Sequence, residues 1–229
     1  MSGGISERRG HKPVACVRSR ADLNLDGERP MSTPRAETGE RPQALAVSVG
    51  RVNLLGVQVT ASALLSCAEH ERRSGFGLGA VTNPALLDYL LSLPVRQARR
   101  DPVSWAETSA LPGGIVDRAD DGYTVTRLLE LPLALDAVIV SAAPGRALRA
   151  VQDASLFAGF TCRWVRHQQT AVPDTAVLEG KLCGVGLLGS QGQVLVPAEP
   201  PTSAIVDGWA WLLAEKTYRR WLKQAAASR

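Results

Sequence analysis

The sequence predicts an α/β fold: a mixed sheet flanked by helices in a single domain, with a disordered N-terminal tail and a long C-terminal helix. Three observations carry this. Apolar residues alternate between strand-like and helix-like periods from Val52 to Phe157. A meander of short strand-like runs follows from Phe160 to Val196, and a helical period then occupies about 203–224. Strands that alternate with helices and then run on as a meander bury their apolar faces by stacking a sheet against helices.

Residues 1–42 are mostly Arg, Glu, Ser, Gly and Pro without an apolar period, a composition that cannot offset its ordering entropy. The domain is expected over 43–229, and Met31 is a candidate internal start. It opens with the strand-like run Val52, Leu54, Leu55, Val57 and Val59, after which Ala61, Leu64, Leu65 and Ala68 recur at helical spacing. The next helix has the clearest start: Asn83 is a good N-cap, Pro84 fits the first helical position, Leu86, Leu87, Leu90 and Leu91 form one face, and Pro94 ends it.

Between Val95 and Asp121 the chain is polar and broken by Pro102, Pro112, Gly113 and Gly114, the pattern of a short helix and a loop. Tyr123–Thr126 and Ala137–Ser141 are strand-like, and Arg146–Phe157 is helical with Leu148, Val151 and Leu156 as its apolar positions. Phe160, Cys162 and Trp164 alternate with Thr161 and Arg163 as in a half-buried strand. A strand near Thr175–Leu178 comes next, then a hairpin pairing Val185–Leu188 with Gln193–Val196. Beyond Pro197–Pro201 the long helix carries Ile205, Val206, Trp209, Leu212, Leu213, Trp221 and Leu222.

A chain of 229 residues, 45% hydrophobic and 21% charged, can bury a core of its own. No stretch approaches the roughly 20 apolar residues of a membrane span, and the opening residues lack the apolar core of a secretory signal. An intracellular protein, cytoplasmic or nuclear, is expected. Cys16, Cys67, Cys162 and Cys183 stand singly, so neither a disulfide framework nor a structural zinc site is expected, and no cofactor is implied. Cys162 and Cys183 fall in strand-like runs as small buried hydrophobes. Of the net charge of +4, +2 belongs to residues 1–42, leaving the domain nearly neutral with local basic clusters such as Lys216, Arg219, Arg220 and Lys223.

The turn Ser141–Gly145 leads from strand to helix, where free amides attract anions, but the spaced glycines of a dinucleotide site and the Gly-Lys-Ser/Thr of a P-loop are missing. His11, His70 and His167 are the only histidines, and without a Gly-x-Ser-x-Gly elbow no triad can be nominated. Pro173-Asp174 followed by Glu179-Gly180-Lys181 resembles the PD-(D/E)xK nucleases, which implies a metal held by Asp174 and Glu179 with Lys181 beside it. On a single strand, residues five apart point to opposite faces. Val52–Val57, Thr82-Asn83-Pro84, Asp120-Asp121-Gly122 and the Trp-rich final helix together resemble the WecG/TagA class of glycosyltransferases, which implies Asn83 and Asp121 as site residues. The same two residues also read as an N-cap and a turn aspartate.

The aromatic distribution points elsewhere. Three of the five Trp, with Tyr218, lie in the last 21 residues. Trp209 and Trp211 are about 200° apart on a helix and cannot both dock on one surface. Trp, Tyr and Arg are the side chains that anchor interfaces, so Trp211, Tyr218, Arg219, Arg220 and Trp221 are the candidate binding residues. The expected function is a non-catalytic interaction or regulatory protein. Its partner, a protein or a nucleic-acid-associated one, would bind the C-terminal helix; the alternative is an enzyme of one of the two resembled classes. The oligomeric state is left open.

Overall fold

A computed structural model describes residues 44–100, 111–121, 124–169, 171–202 and 206–228. The expected tail over 1–42 lies outside the described residues, as do Tyr123, residues 101–110 and residues 203–205.

Two long strands open the domain, β1 (Ala44–Leu54) and β2 (Val57–Ser66), joined across Leu55 and Gly56. Both turn residues have positive φ, 51° and 83°, as the tightest hairpin turns require, and Leu54 pairs with Val57. The helix expected over Ala61–Ala68 is therefore a strand as far as Ser66. Val59, Ala61, Ala63 and Leu65 are buried while Leu64 is exposed, so the period of two prevails over the fortuitous helical spacing. Helix α1 (Cys67–Gly75) starts at Ser66, whose Oγ accepts from the Glu69 amide. Helix α2 (Pro84–Ser92) starts as expected at Asn83, whose side chain accepts from the Ala85 and Leu86 amides.

The polar stretch after α2 contains strands where a short helix and loop were expected: β3 (Ala98–Arg100) and β4 (Val116–Arg118) flank β5 (Thr124–Arg127) in a small antiparallel sheet. Next come β6 (Leu133–Ala142), α3 (Ala147–Ser155), β7 (Cys162–His167), α4 (Asp174–Cys183), β8 (Gly186–Leu188), β9 (Val194–Val196) and α5 (Gly208–Ala227).

The main sheet is mixed, in the order β1-β2-β6-β7-β8-β9, with β6, β7 and β8 parallel and the other pairs antiparallel. Parallel neighbours need a crossover, which explains why the strand expected at Thr175–Leu178 is helix α4. The β8–β9 hairpin forms as expected, and the final helix starts at Gly208 with Asp207 as its N-cap rather than near Ser203. On α3 the sheet-facing residues are Ala147, Ala150, Val151 and Ala154, while Leu148 and Leu156, expected in the core, are exposed. Strand β7, expected to be half-buried, runs between two parallel neighbours and buries even Arg163 and His167. Cys162 is buried as expected, whereas Cys183 is half-buried at the end of α4.

One main cluster joins Val49, Val59, Ala61, Val138, Val140 and Val165 of the sheet to Ala150, Val151 and Ala154 of α3 and Leu213 of α5. These strand residues share one face of the sheet by register, so α3 and α5 cover that face. A second cluster packs α2, Ile115 and Leu129 against Trp211 and Leu212, and a third packs Ala63, Leu65 and Leu133 against Ala214 and Tyr218. All three meet on α5.

Candidate functional site

The charged residues buried where α1 meets α5 form one network. Arg73, fully buried, donates through Nε to Glu69 (2.7 Å) and through Nη1 and Nη2 to the Glu215 carboxylate (2.9 and 2.7 Å). Its Nη2 also donates to the Glu130 carbonyl (2.8 Å). Glu215 further accepts from the Val81 amide (2.8 Å) and from Trp211 Nε1 (3.1 Å). Arg72, on the solvent side, holds Glu69 through two bonds of 2.8 Å. Two carboxylates thus face two guanidiniums, and the charges cancel.

Burial pushes the Glu69 carboxyl up, but the bonds from Arg72 and Arg73 outweigh it and hold the group below its ordinary value. Burial likewise works against the Arg73 charge, and Glu215 and Glu69 more than restore it. Ion pairs and hydrogen bonds occupy both carboxylates, so the network fixes α1 to α5.

Above this network lies a groove of about 380 Å³, walled by His70 and Ser74 of α1 and by Trp221, Leu222, Ala225 and Ala226 of α5. His70 Nδ1 and the Tyr218 hydroxyl share a 2.8 Å hydrogen bond. The Trp221 ring meets His70 edge-on at 5.0 Å and stacks on Tyr218 at 5.8 Å. Tyr218 in turn lies 5.3 Å from the Arg73 guanidinium, so the aromatic group behind His70 and Trp221 rests on the ion network. The far end of α5 is held by Gln224, whose Oε1 accepts from the Gly50 amide (3.1 Å).

The expected binding residues divide accordingly. Trp211 and Tyr218, expected to meet a partner, are instead buried: Trp211 lies 5.1 Å from the half-buried Arg127 guanidinium and Tyr218 lies against the buried Arg73. Of the pair that cannot share a surface, Trp209 is the exposed one. Trp221 is half-buried and lines the groove, Arg219 is exposed, and Arg220 is half-buried with its Nε lacking a partner among the described residues. Arg219 lies three residues before Leu222, and Lys223 three before Ala226, so this basic pair borders the α5 wall.

The catalytic candidates are not assembled. Asp174 and Glu179 sit on α4 rather than on a strand, about 140° apart around the helix. Glu179 Oε1 is 3.8 Å from the Cys183 thiol, which burial and then the Glu179 charge push up. Lys181 is exposed in the last turn. Asp121 accepts from the Thr124 amide (2.8 Å) and hydroxyl (2.6 Å), closing the turn into β5, and Asn83 caps α2. Among the described residues no group of three or more His, Cys, Asp and Glu is placed to hold a metal ion, and no helix is long and apolar enough to cross a membrane.

Sequence reasoning missed the Glu69–Arg73–Glu215 network, although a signal was present. Glu215 falls four residues after Trp211 and three before Tyr218, on the apolar stripe of α5, where a carboxylate requires a buried cation. Comparison of the chain with family models, with curated proteins and with solved structures finds no match.

Proposed function

We propose that this is a non-catalytic binding protein that recognises an acidic protein segment bearing an apolar or aromatic anchor. The carrying observation is the α1/α5 groove: an aromatic and aliphatic slot, open to solvent, bordered on α5 by Arg219 and Lys223. The exposed and half-exposed charges of α5 are all basic (Lys216, Arg219, Arg220 and Lys223), while its one acid, Glu215, is neutralised inside by Arg73. An anchor inserted beside Trp221 would displace water from apolar surface, and the basic border would select acidic flanks and speed encounter. His70 and Tyr218, tied to each other and to the ion network, hold the slot open without a partner, which lowers the ordering cost of binding.

A protein segment fits better than a nucleic acid. The slot is lined mainly by Trp221, Leu222, Ala225 and Ala226, and residues 43–229 carry a net charge of only +2, a weak field for phosphate binding.

The test is selection of a random displayed peptide library against the full chain, with the Arg219→Glu/Lys223→Glu variant as counter-target. Enriched peptides should carry an aromatic or Leu anchor with Asp or Glu flanks and lose about tenfold or more in affinity for the variant. Enrichment of basic or uncharged peptides, equal binding to the variant, or no enrichment would overturn the proposal, as would retention of nucleic acid in place of peptide.

A further inference from the structure

The hydroxyl of Tyr218 is the starting point. The residue is buried, and a buried hydroxyl needs an acceptor for its hydrogen. Burial, opposed by the Arg73 charge and assisted by those of Glu215 and Glu69, pushes this hydroxyl up, so it keeps its proton. Among the described residues its one hydrogen-bond partner is His70 Nδ1, at 2.8 Å. The Glu69 and Glu215 carboxylates are committed elsewhere, to Arg72, Arg73, the Val81 amide and Trp211.

A neutral imidazole has one acceptor nitrogen and one donor nitrogen. If Nδ1 accepts from Tyr218, the hydrogen of the ring is on Nε2. His70 Nε2 has no hydrogen-bond partner among the described residues and, unlike His167 Nε2, is not sealed from solvent. His70 also walls the groove. The other polar side chain on the α1 wall is Ser74, and its hydroxyl is spent on the His70 carbonyl at 2.8 Å.

We propose that His70 is a specificity-determining residue of the groove: Tyr218 fixes its tautomer, and its Nε2–H donates to a side-chain carboxylate next to the anchor of the bound segment. This rests on the groove being the site for an acidic segment. A donor facing the slot pairs only with an acceptor, so Lys or Arg beside the anchor is rejected. A carboxylate makes a stronger bond there than an amide oxygen, and Arg219 and Lys223 along the α5 wall supply the positive charge that a neutral ring lacks. The two walls thus act differently. The α5 wall attracts acidic flanks at range, and the α1 wall fixes one acid in place.

The test uses peptides enriched on the full chain, made with an amidated C terminus so that no chain-terminal carboxylate stands in for a side chain. Replacing the acid beside the anchor by its amide should weaken binding about tenfold in calorimetry. In His70→Leu the same replacement should cost less than about threefold. His70→Gln, whose side-chain amide restores an N–H near the Nε2 position, should recover most of the preference. Acids further from the anchor should respond to Arg219→Glu/Lys223→Glu and not to His70→Leu. Because His70→Leu strands the Tyr218 hydroxyl and lowers stability, a second measurement uses the unaltered chain: long-range 1H–15N correlation should place the ring hydrogen on Nε2. A hydrogen found on Nδ1, or an acid-to-amide penalty unchanged in His70→Leu and His70→Gln, would overturn the role of His70 and leave the acidic-segment reading standing. A library that enriches no peptide would overturn both.

Discussion

Replacing Arg73 with Met tests whether the buried ion network holds α1 to α5. The substitution removes four short hydrogen bonds of 2.7–2.9 Å, one to Glu69, two to Glu215 and one to the Glu130 carbonyl. Glu69 keeps Arg72, and Glu215 keeps the Val81 amide and Trp211 Nε1, but Glu215 loses its buried cation. Stranding a buried charge in this way costs about 3–5 kcal/mol. For a domain of this size that corresponds to a fall in Tm of roughly 6–20 °C. Urea unfolding, read as a shift in midpoint at constant slope, measures the loss. Adding Glu215→Met should recover at least about 1 kcal/mol by removing the stranded charge. A loss below about 1 kcal/mol for Arg73→Met, or a double variant as unstable as the sum of its parts, would refute the reasoning.

Acid should weaken the same junction. The Glu69 carboxyl is held below its ordinary value of 4.5, so its contribution to stability is complete above that pH and disappears as pH falls through the lower folded value. Urea midpoints measured downward from pH 6 should therefore drop below about pH 4.5, and the drop attributable to Glu69 should be absent in Glu69→Gln. Asn83→Ala should cost about 1 kcal/mol through loss of the α2 cap and leave peptide binding intact, as calorimetry and the groove assay will read separately. Gly186→Ala would drive a methyl into the Trp164 ring and the Ala198 side chain, and should lower stability by about 1–3 kcal/mol in denaturant titration.

Where local chemistry dictates structure, the sequence was legible. Asn83-Pro84 announced α2, and the paired runs Val185–Leu188 and Gln193–Val196 announced the β8–β9 hairpin. Ala61–Ala68 was misread because Ala and Leu suit either period, and the deciding feature was the Leu55-Gly56 turn, which converts one apparent strand into two paired ones. A strand was expected near Thr175–Leu178, while the crossover between parallel β7 and β8 requires a helix, and strand order is not written in local sequence. On α3 the larger Leu148 and Leu156 drew the eye, yet the close packing of helix on sheet admits the small Ala150 and Ala154.

The candidate site was legible in part. Composition singled out Trp211, Tyr218, Arg219, Arg220 and Trp221 as a group, whereas burial separates them: Trp211 and Tyr218 are buried against Arg127 and Arg73, while Trp221 lines the groove. The contribution of α1 to the groove was invisible because His70 and Trp221 are distant in sequence and meet only once Arg73 has paired with Glu215.

The most direct test of the central claim is a titration of the isotope-labelled full chain with an enriched acidic peptide, followed by amide and Trp indole chemical shifts. The groove account predicts that the largest changes fall on His70, Ser74, Leu222 and Ala226 and on the Trp221 indole. Changes centred instead on α4 and β9, or on the turn at Asp121, would contradict it.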